Sequence, residues 1–169
     1  MGRDKKNETR PEHFAKMLRS TMEEPAWKAL PSRAQALYPW LKLQWKGPRH
    51  NNNGRVMLSV RCAAQRLGCN KDTAAKAFHD LQAKGFIHVT RAARLGVDGE
   101  GRSHEYELTE IELPRSDRRG GRRLYCDWRP DQEFPVVTAL KNNPGGKNGR
   151  KKPRHRNSDD TVIEFKPIE

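Results

Sequence analysis

The chain has 169 residues and a formal charge of +13, from 34 Lys and Arg against 21 Asp and Glu, a length that suits one domain with tails and excludes two full domains. Apolar residues make up 34%, and 13 Gly bring the total to about 41%, below the roughly 45–50% typical of soluble domains, so part of the chain is expected to stay outside the packed core. No apolar run approaches the roughly 20 residues needed to cross a bilayer, and the opening Met-Gly-Arg-Asp-Lys-Lys lacks the apolar stretch of a signal peptide, so a cytoplasmic protein with no membrane partner is expected, its positive charge calling for a polyanion.

In chain order, residues 1–24 are mostly charged and polar and read as a flexible N-terminal segment, in which 13–22 (HFAKMLRSTM) has the spacing of a short amphipathic helix. Residues 25–113 form the expected folded unit. Ser32 is placed to cap its first helix, with Ala34, Leu37, Tyr38 and Leu41 on one face. Pro39 removes an N–H inside that helix and is expected to kink or shorten it. Asn51-Asn52-Asn53-Gly54 makes a turn, and 55–58 (RVML) is long enough for one strand.

Ser59 caps a helix over 60–67 with Val60, Ala63, Ala64 and Leu67 inward and Gly68 as its left-handed stop. Asn70 caps a longer helix over 71–84, with Ala74, Ala77, Phe78 and Leu81 on one face and Gly85 closing it. Then 86–91 alternates Ile87 and Val89 inward, and 103–109 sets Tyr106 and Leu108 inward against Glu105 and Glu107, which predicts two antiparallel strands around a 96–101 loop. Trp27, Trp40 and Trp45 lie beside aliphatic helical positions and read as core and hinge packing, not as stacking platforms for bases. Residues 114–140 read as a linker and partly ordered extension, in which Trp128 is a candidate to fold back. The 141–169 tail is expected to be disordered, since 141–156 holds seven Lys or Arg and no acid.

Catalysis has no support in the pattern. The histidines are scattered, no phosphate-cradling glycine motif occurs, and Cys62, Cys69 and Cys126 match no zinc spacing and read as reduced thiols. A non-enzyme without metal, cofactor or evident small-molecule ligand is expected.

The order of elements points to duplex DNA. A short helix, a glycine turn and a capped second helix make a helix-turn-helix, whose second helix lies in the major groove and shows its N-terminal residues to the base edges. Residues 27–95 carry thirteen Lys or Arg and only Asp72 and Asp80, so the positive field belongs to this unit. Off the apolar stripe lie Lys71, Asp72, Thr73, Ala75, Lys76, His79 and Asp80, with Lys71, Thr73 and Lys76 the best base or phosphate readers. Asn70 opens that helix with amides free to meet a phosphate. Arg91, Arg94 and Arg102 flank the hairpin loop, where they suit the phosphate backbone. Between Asp98 and Glu112 lie six acids, so that strand is expected to turn away from the backbone.

Residues 59–87, SVRCAAQRLGCNKDTAAKAFHDLQAKGFI, resemble the winged helix-turn-helix of bacterial regulators such as the GntR group. Residues 27–113 as a whole are similar to small winged-helix proteins encoded on bacterial chromosomes, plasmids and prophages. The resemblance implies an α+β winged helix-turn-helix, a three-helix core with a small antiparallel hairpin wing, plus disordered tails. It further implies that Ser59 and Arg61 open the supporting helix, that Lys71, Thr73 and Lys76 sit on the recognition helix, and that hairpin 91–102 is the wing. No GntR-type effector or oligomerisation domain follows Thr109, so sensing of that kind is not expected.

The expected function is sequence-specific binding of double-stranded DNA by a nucleoid-associated bacterial transcriptional regulator. A plasmid or phage replication or maintenance factor on origin repeats shares the fold, and a non-specific nucleic-acid-coating protein is the reading from the tail alone. Two half-sites would call for a homodimer, for which the first helix and residues 124–140 are candidate contacts.

Overall fold

The computed structural model describes residues 14–93, 102–116 and 120–138. Within them Pro25 sets the first boundary. The residue before a proline is pushed out of the helical region, and Glu24 is extended at ψ 143°, so helix α1, Arg19–Glu23, ends there and α2, Pro25–Lys28, restarts with Pro25 at its first position. The 13–22 helix is thus corrected to a five-residue turn of helix that begins at Arg19. It belongs to the packed unit, because Thr21 is buried and its hydroxyl lies 3.3 Å from Glu110 Oε1.

Helix α3, Ser32–Lys42, buries Ala34, Leu37, Tyr38 and Leu41, the four positions its spacing selects. Ser32 is its first residue and not its cap. Pro31 takes the cap position, and its carbonyl accepts from Ala34 at 2.9 Å. Pro39 leaves the helix uninterrupted, since the proline costs one N–H bond and the helix ends at Lys42 before another turn is needed.

Helices α4, Val60–Leu67, and α5, Lys71–Ala83, follow. Three strands, β1 (Val56–Met57), β2 (Ile87–Arg91) and β3 (Glu105–Leu108), form an antiparallel sheet in the order β1-β3-β2. The architecture among the described residues is therefore α+β, with five helices and a small sheet. Ile87 faces Leu108 and Val89 faces Tyr106 across β2 and β3, and the register slips between Val89 and Arg91. Helices and sheet meet in a core where Trp27, Tyr38 and Phe86 contact edge to face at 5.4–5.7 Å and Phe78 stacks on Tyr106 at 5.3 Å. Trp40 and Trp45 pack half-buried against it.

Two features lie beyond local pattern. Asn53 is a buried hub, its Nδ2 donating to the carbonyls of Leu108 and Ile111 at 3.0 and 2.7 Å and its Oδ1 accepting from Leu108 N at 2.7 Å. Asn53→Ala should leave these groups buried without partners and lower unfolding free energy by about 3 kcal/mol, measurable in a urea titration.

The second is the 120–138 extension, which closes the core from the outside. Tyr125 stacks on Phe86 at 4.8 Å, Trp128 is buried, and Phe134 N donates to the Ala83 carbonyl at 2.8 Å. The approach is close enough that a Cβ on Gly85, already at φ +77°, would stand 2.8 Å from the Phe134 ring. Phe86 and Tyr125 are thus core residues from opposite sides of the 113/114 boundary.

β3 departs from simple alternation. Glu107 was expected outward, yet it is 2% exposed because Arg122 from the extension binds its carboxylate with a two-pronged guanidinium contact. Among the described residues no helix is long and apolar enough to cross a membrane.

Candidate nucleic-acid interface

The α4–α5 pair is built by local signals. Ser59 Oγ accepts from Cys62 N at 3.1 Å and starts α4. Gly68, at φ 58° and ψ 42°, ends it in the left-handed region that favours glycine. Asn70 Oδ1 accepts from Thr73 N at 2.7 Å and starts α5. Ala63 and Ala64 of α4 and Ala74 and Ala77 of α5 are small buried residues on two helices that pack against each other. Arg33 of α3 braces the turn by donating to the Leu67 carbonyl at 3.1 Å.

This frame leaves one cationic face outward. Arg61, Lys71, Lys76 and His79 are exposed and Thr73 is half-exposed. Arg61, Asn70 and Lys71 line one open depression of about 780 Å3 at the turn, so residues ten apart in sequence are brought together. Asp72 lines it too, in the first turn of α5, where its charge complements the helix N-terminus. Among the described residues Arg61, Lys71 and Lys76 form no ion pair, whereas the acids of the 105–112 stretch are engaged internally. Glu105 pairs with Arg91 at 3.4 Å, Glu107 with Arg122, and Glu110 with Lys42 at 2.8 Å. Those acids neutralise cations of the fold itself, and the acid beside Arg61 and Lys71 is Asp72.

The remaining sequence-predicted residues divide by what they already do. Ser59 and Asn70 spend their side-chain oxygens on the caps, so they position helices before they can touch a partner. Arg91 keeps 59% of its side chain exposed while reaching Glu105. Arg102 is exposed. Arg94, the 96–101 loop and the 141–169 tail lie outside the described residues. Two cations escaped sequence reasoning. Arg66 lies 5.0 Å over the Trp40 ring, and Arg33 braces the turn, and neither position carries a local signal.

At the base of the hairpin His104 Nδ1 accepts from Ala93 N at 3.0 Å. Burial, and then the nearby His79, lower the His104 pKa from its ordinary value of 6.5. The unfolded chain therefore takes up this proton before the folded one does on acidification. The His104 contribution is complete above about pH 6.5 and fades as pH falls below it. Thermal midpoints should drop more between pH 7.5 and 5.5 for the wild type than for His104→Gln. No family model, curated protein or solved structure matches the chain.

Proposed function

We propose that the chain is a winged helix-turn-helix protein that binds double-stranded DNA at specific sequences, as a transcriptional regulator on a bacterial nucleoid. α5 lies in the major groove, and the β2–β3 hairpin is the wing beside the backbone. The observation that carries this reading is the unpaired, exposed row of Lys71 and Lys76 beside Arg61 and Thr73, on a helix whose apolar face is fixed in the core and whose N-terminus opens beside a tight turn. The likeness of residues 59–87 to GntR-type helix-turn-helix segments supports it. Lys71 and Arg61 hold phosphates, Thr73 and Lys76 meet base edges, and Arg94 and Arg102 hold the flanking backbone.

Selection of bound duplexes from a random pool tests the reading. It predicts enrichment of one defined sequence by the full chain. Enrichment of none, with equal retention of all duplexes, would leave a coating protein instead. Tandem direct repeats among the selected sites would assign the chain to origin repeats and not to promoters, and an inverted repeat would call for a homodimer.

A further inference from the structure

A second concave site lies away from the α4–α5 face. The stretch 14–18, the end of α3 with the chain that follows it to Asn51, and residues 110–112 line a half-open cavity of about 740 Å3, within the roughly 300–1,000 Å3 of small-molecule sites. None of the residues proposed to touch DNA lines it.

Its chemistry is uneven in an informative way. Phe14, Trp45 and Ile111 supply apolar wall, and Trp45 Nε1 donates to Asn51 Oδ1 at 2.9 Å, which satisfies the indole N–H and fixes the ring. In the floor sits an ion pair, Lys42 Nζ to Glu110 Oε2 at 2.8 Å, with side chains 8% and 4% exposed. A buried ion pair adds little to stability relative to apolar packing, and this one sets a charged group in the wall of an otherwise partly apolar cavity. The two partners are also unequally satisfied. Glu110 accepts from Lys42, from Tyr38 Oη at 2.8 Å and from Thr21 Oγ1 at 3.3 Å. Lys42 donates to Glu110 alone among the described residues and otherwise lies 5.6 Å from the Tyr38 ring. An ammonium carries three donors and can serve a second anionic oxygen beside Glu110. Lys16 and Lys46 add positive charge to the lining against Glu112, whose carboxylate is engaged by the amide of Gly120 at 3.3 Å.

We infer that this cavity binds a small organic acid, a carboxylate on a flat apolar body, whose oxygens meet the ammonium groups of the lining, Lys42 first, while its body lies between Phe14 and Trp45. The site is independent of the duplex reading and stands or falls by direct binding.

Calorimetric titration of the full chain with 1-naphthoate tests it, with 1-naphthalenemethanol as the uncharged comparison. Saturable naphthoate binding is expected, with the alcohol about tenfold or more weaker, because its hydroxyl can accept from the ammonium but carries no charge to pair with it. Lys42→Met/Glu110→Gln, which removes both charges together, should abolish the preference for the acid. Phe14 is 79% exposed, so Phe14→Ala tests the wall without risk to folding and should weaken naphthoate severalfold. No saturable heat, equal affinity for acid and alcohol, or unchanged binding in both variants would overturn the inference.

Discussion

Ending the chain after Ser116 should leave a polypeptide that does not melt cooperatively. The cut removes Tyr125 from its stack on Phe86, Trp128 from its buried site, and Arg122 from the buried Glu107 carboxylate. Truncating a buried aromatic side chain costs about 3–5 kcal/mol, and a buried charge that loses its partner costs a comparable amount. Together these reach the roughly 5–15 kcal/mol that holds a whole domain folded. Circular dichroism melts should show a sigmoid for the full chain and a sloping, featureless trace for the truncated one. A cooperative melt of the truncated chain within a few degrees of the full chain would restore 25–113 as a self-sufficient unit. Tyr125→Ala gives the graded form of the test, with an expected loss of about 3 kcal/mol or more.

The second large effect concerns the duplex. Lys71→Ala/Lys76→Ala should weaken binding to a selected site by about a hundredfold or more and lower the slope of log affinity against log salt by about 1, because Lys71 neutralises a phosphate while Lys76 meets a base edge. The share of Lys76 is about 1–3 kcal/mol of discrimination between sequences, and a slope that falls by about 2 would put Lys76 on a second phosphate instead. Thr73→Ala should change which sequence is preferred, whereas Arg94→Ala should weaken every sequence alike. Fluorescence anisotropy on specific and random duplexes across a salt series separates these outcomes. Identical effects of Thr73→Ala and Arg94→Ala on both duplexes would contradict the division between reading and holding.

The parts of this fold that sequence reveals are those fixed by short-range physics. Ser59, Gly68 and Asn70 act on backbone groups within a few residues of themselves, so the ends of α4 and the start of α5 follow from their order. The buried stripe of α5 follows from its 3.6-residue period. Sequence fails where a partner comes from far along the chain. Alternation sends Glu107 to solvent, and only Arg122, fifteen residues later in a stretch that reads as linker, holds it inside. Asn53 reads as one of three turn asparagines, and its role as a hub depends on carbonyls 55 and 58 residues away. The cap of α3 fails for a smaller reason, since Pro31 already has the extended backbone that a cap position requires.

The candidate interface follows the same division. Lys71, Lys76 and His79 were legible as the exposed side of an amphipathic helix, and they are exposed. That Arg61 joins Lys71 across the turn was not legible, because it depends on how α4 crosses α5. The quiet state of the neighbouring acids was not legible either, since Glu105, Glu107 and Glu110 are neutralised by Arg91, Arg122 and Lys42 from other elements.

The central claim is that α5 and the turn before it are the surface that meets DNA. Amide shift mapping on the isotopically labelled full chain, titrated with a selected duplex, tests it most directly. The account predicts that the largest shifts fall on residues 59–62 and 69–80, with smaller ones at the base of the β2–β3 hairpin. Largest shifts around Trp45 and Glu112, with Lys71 to Lys76 silent, would contradict it.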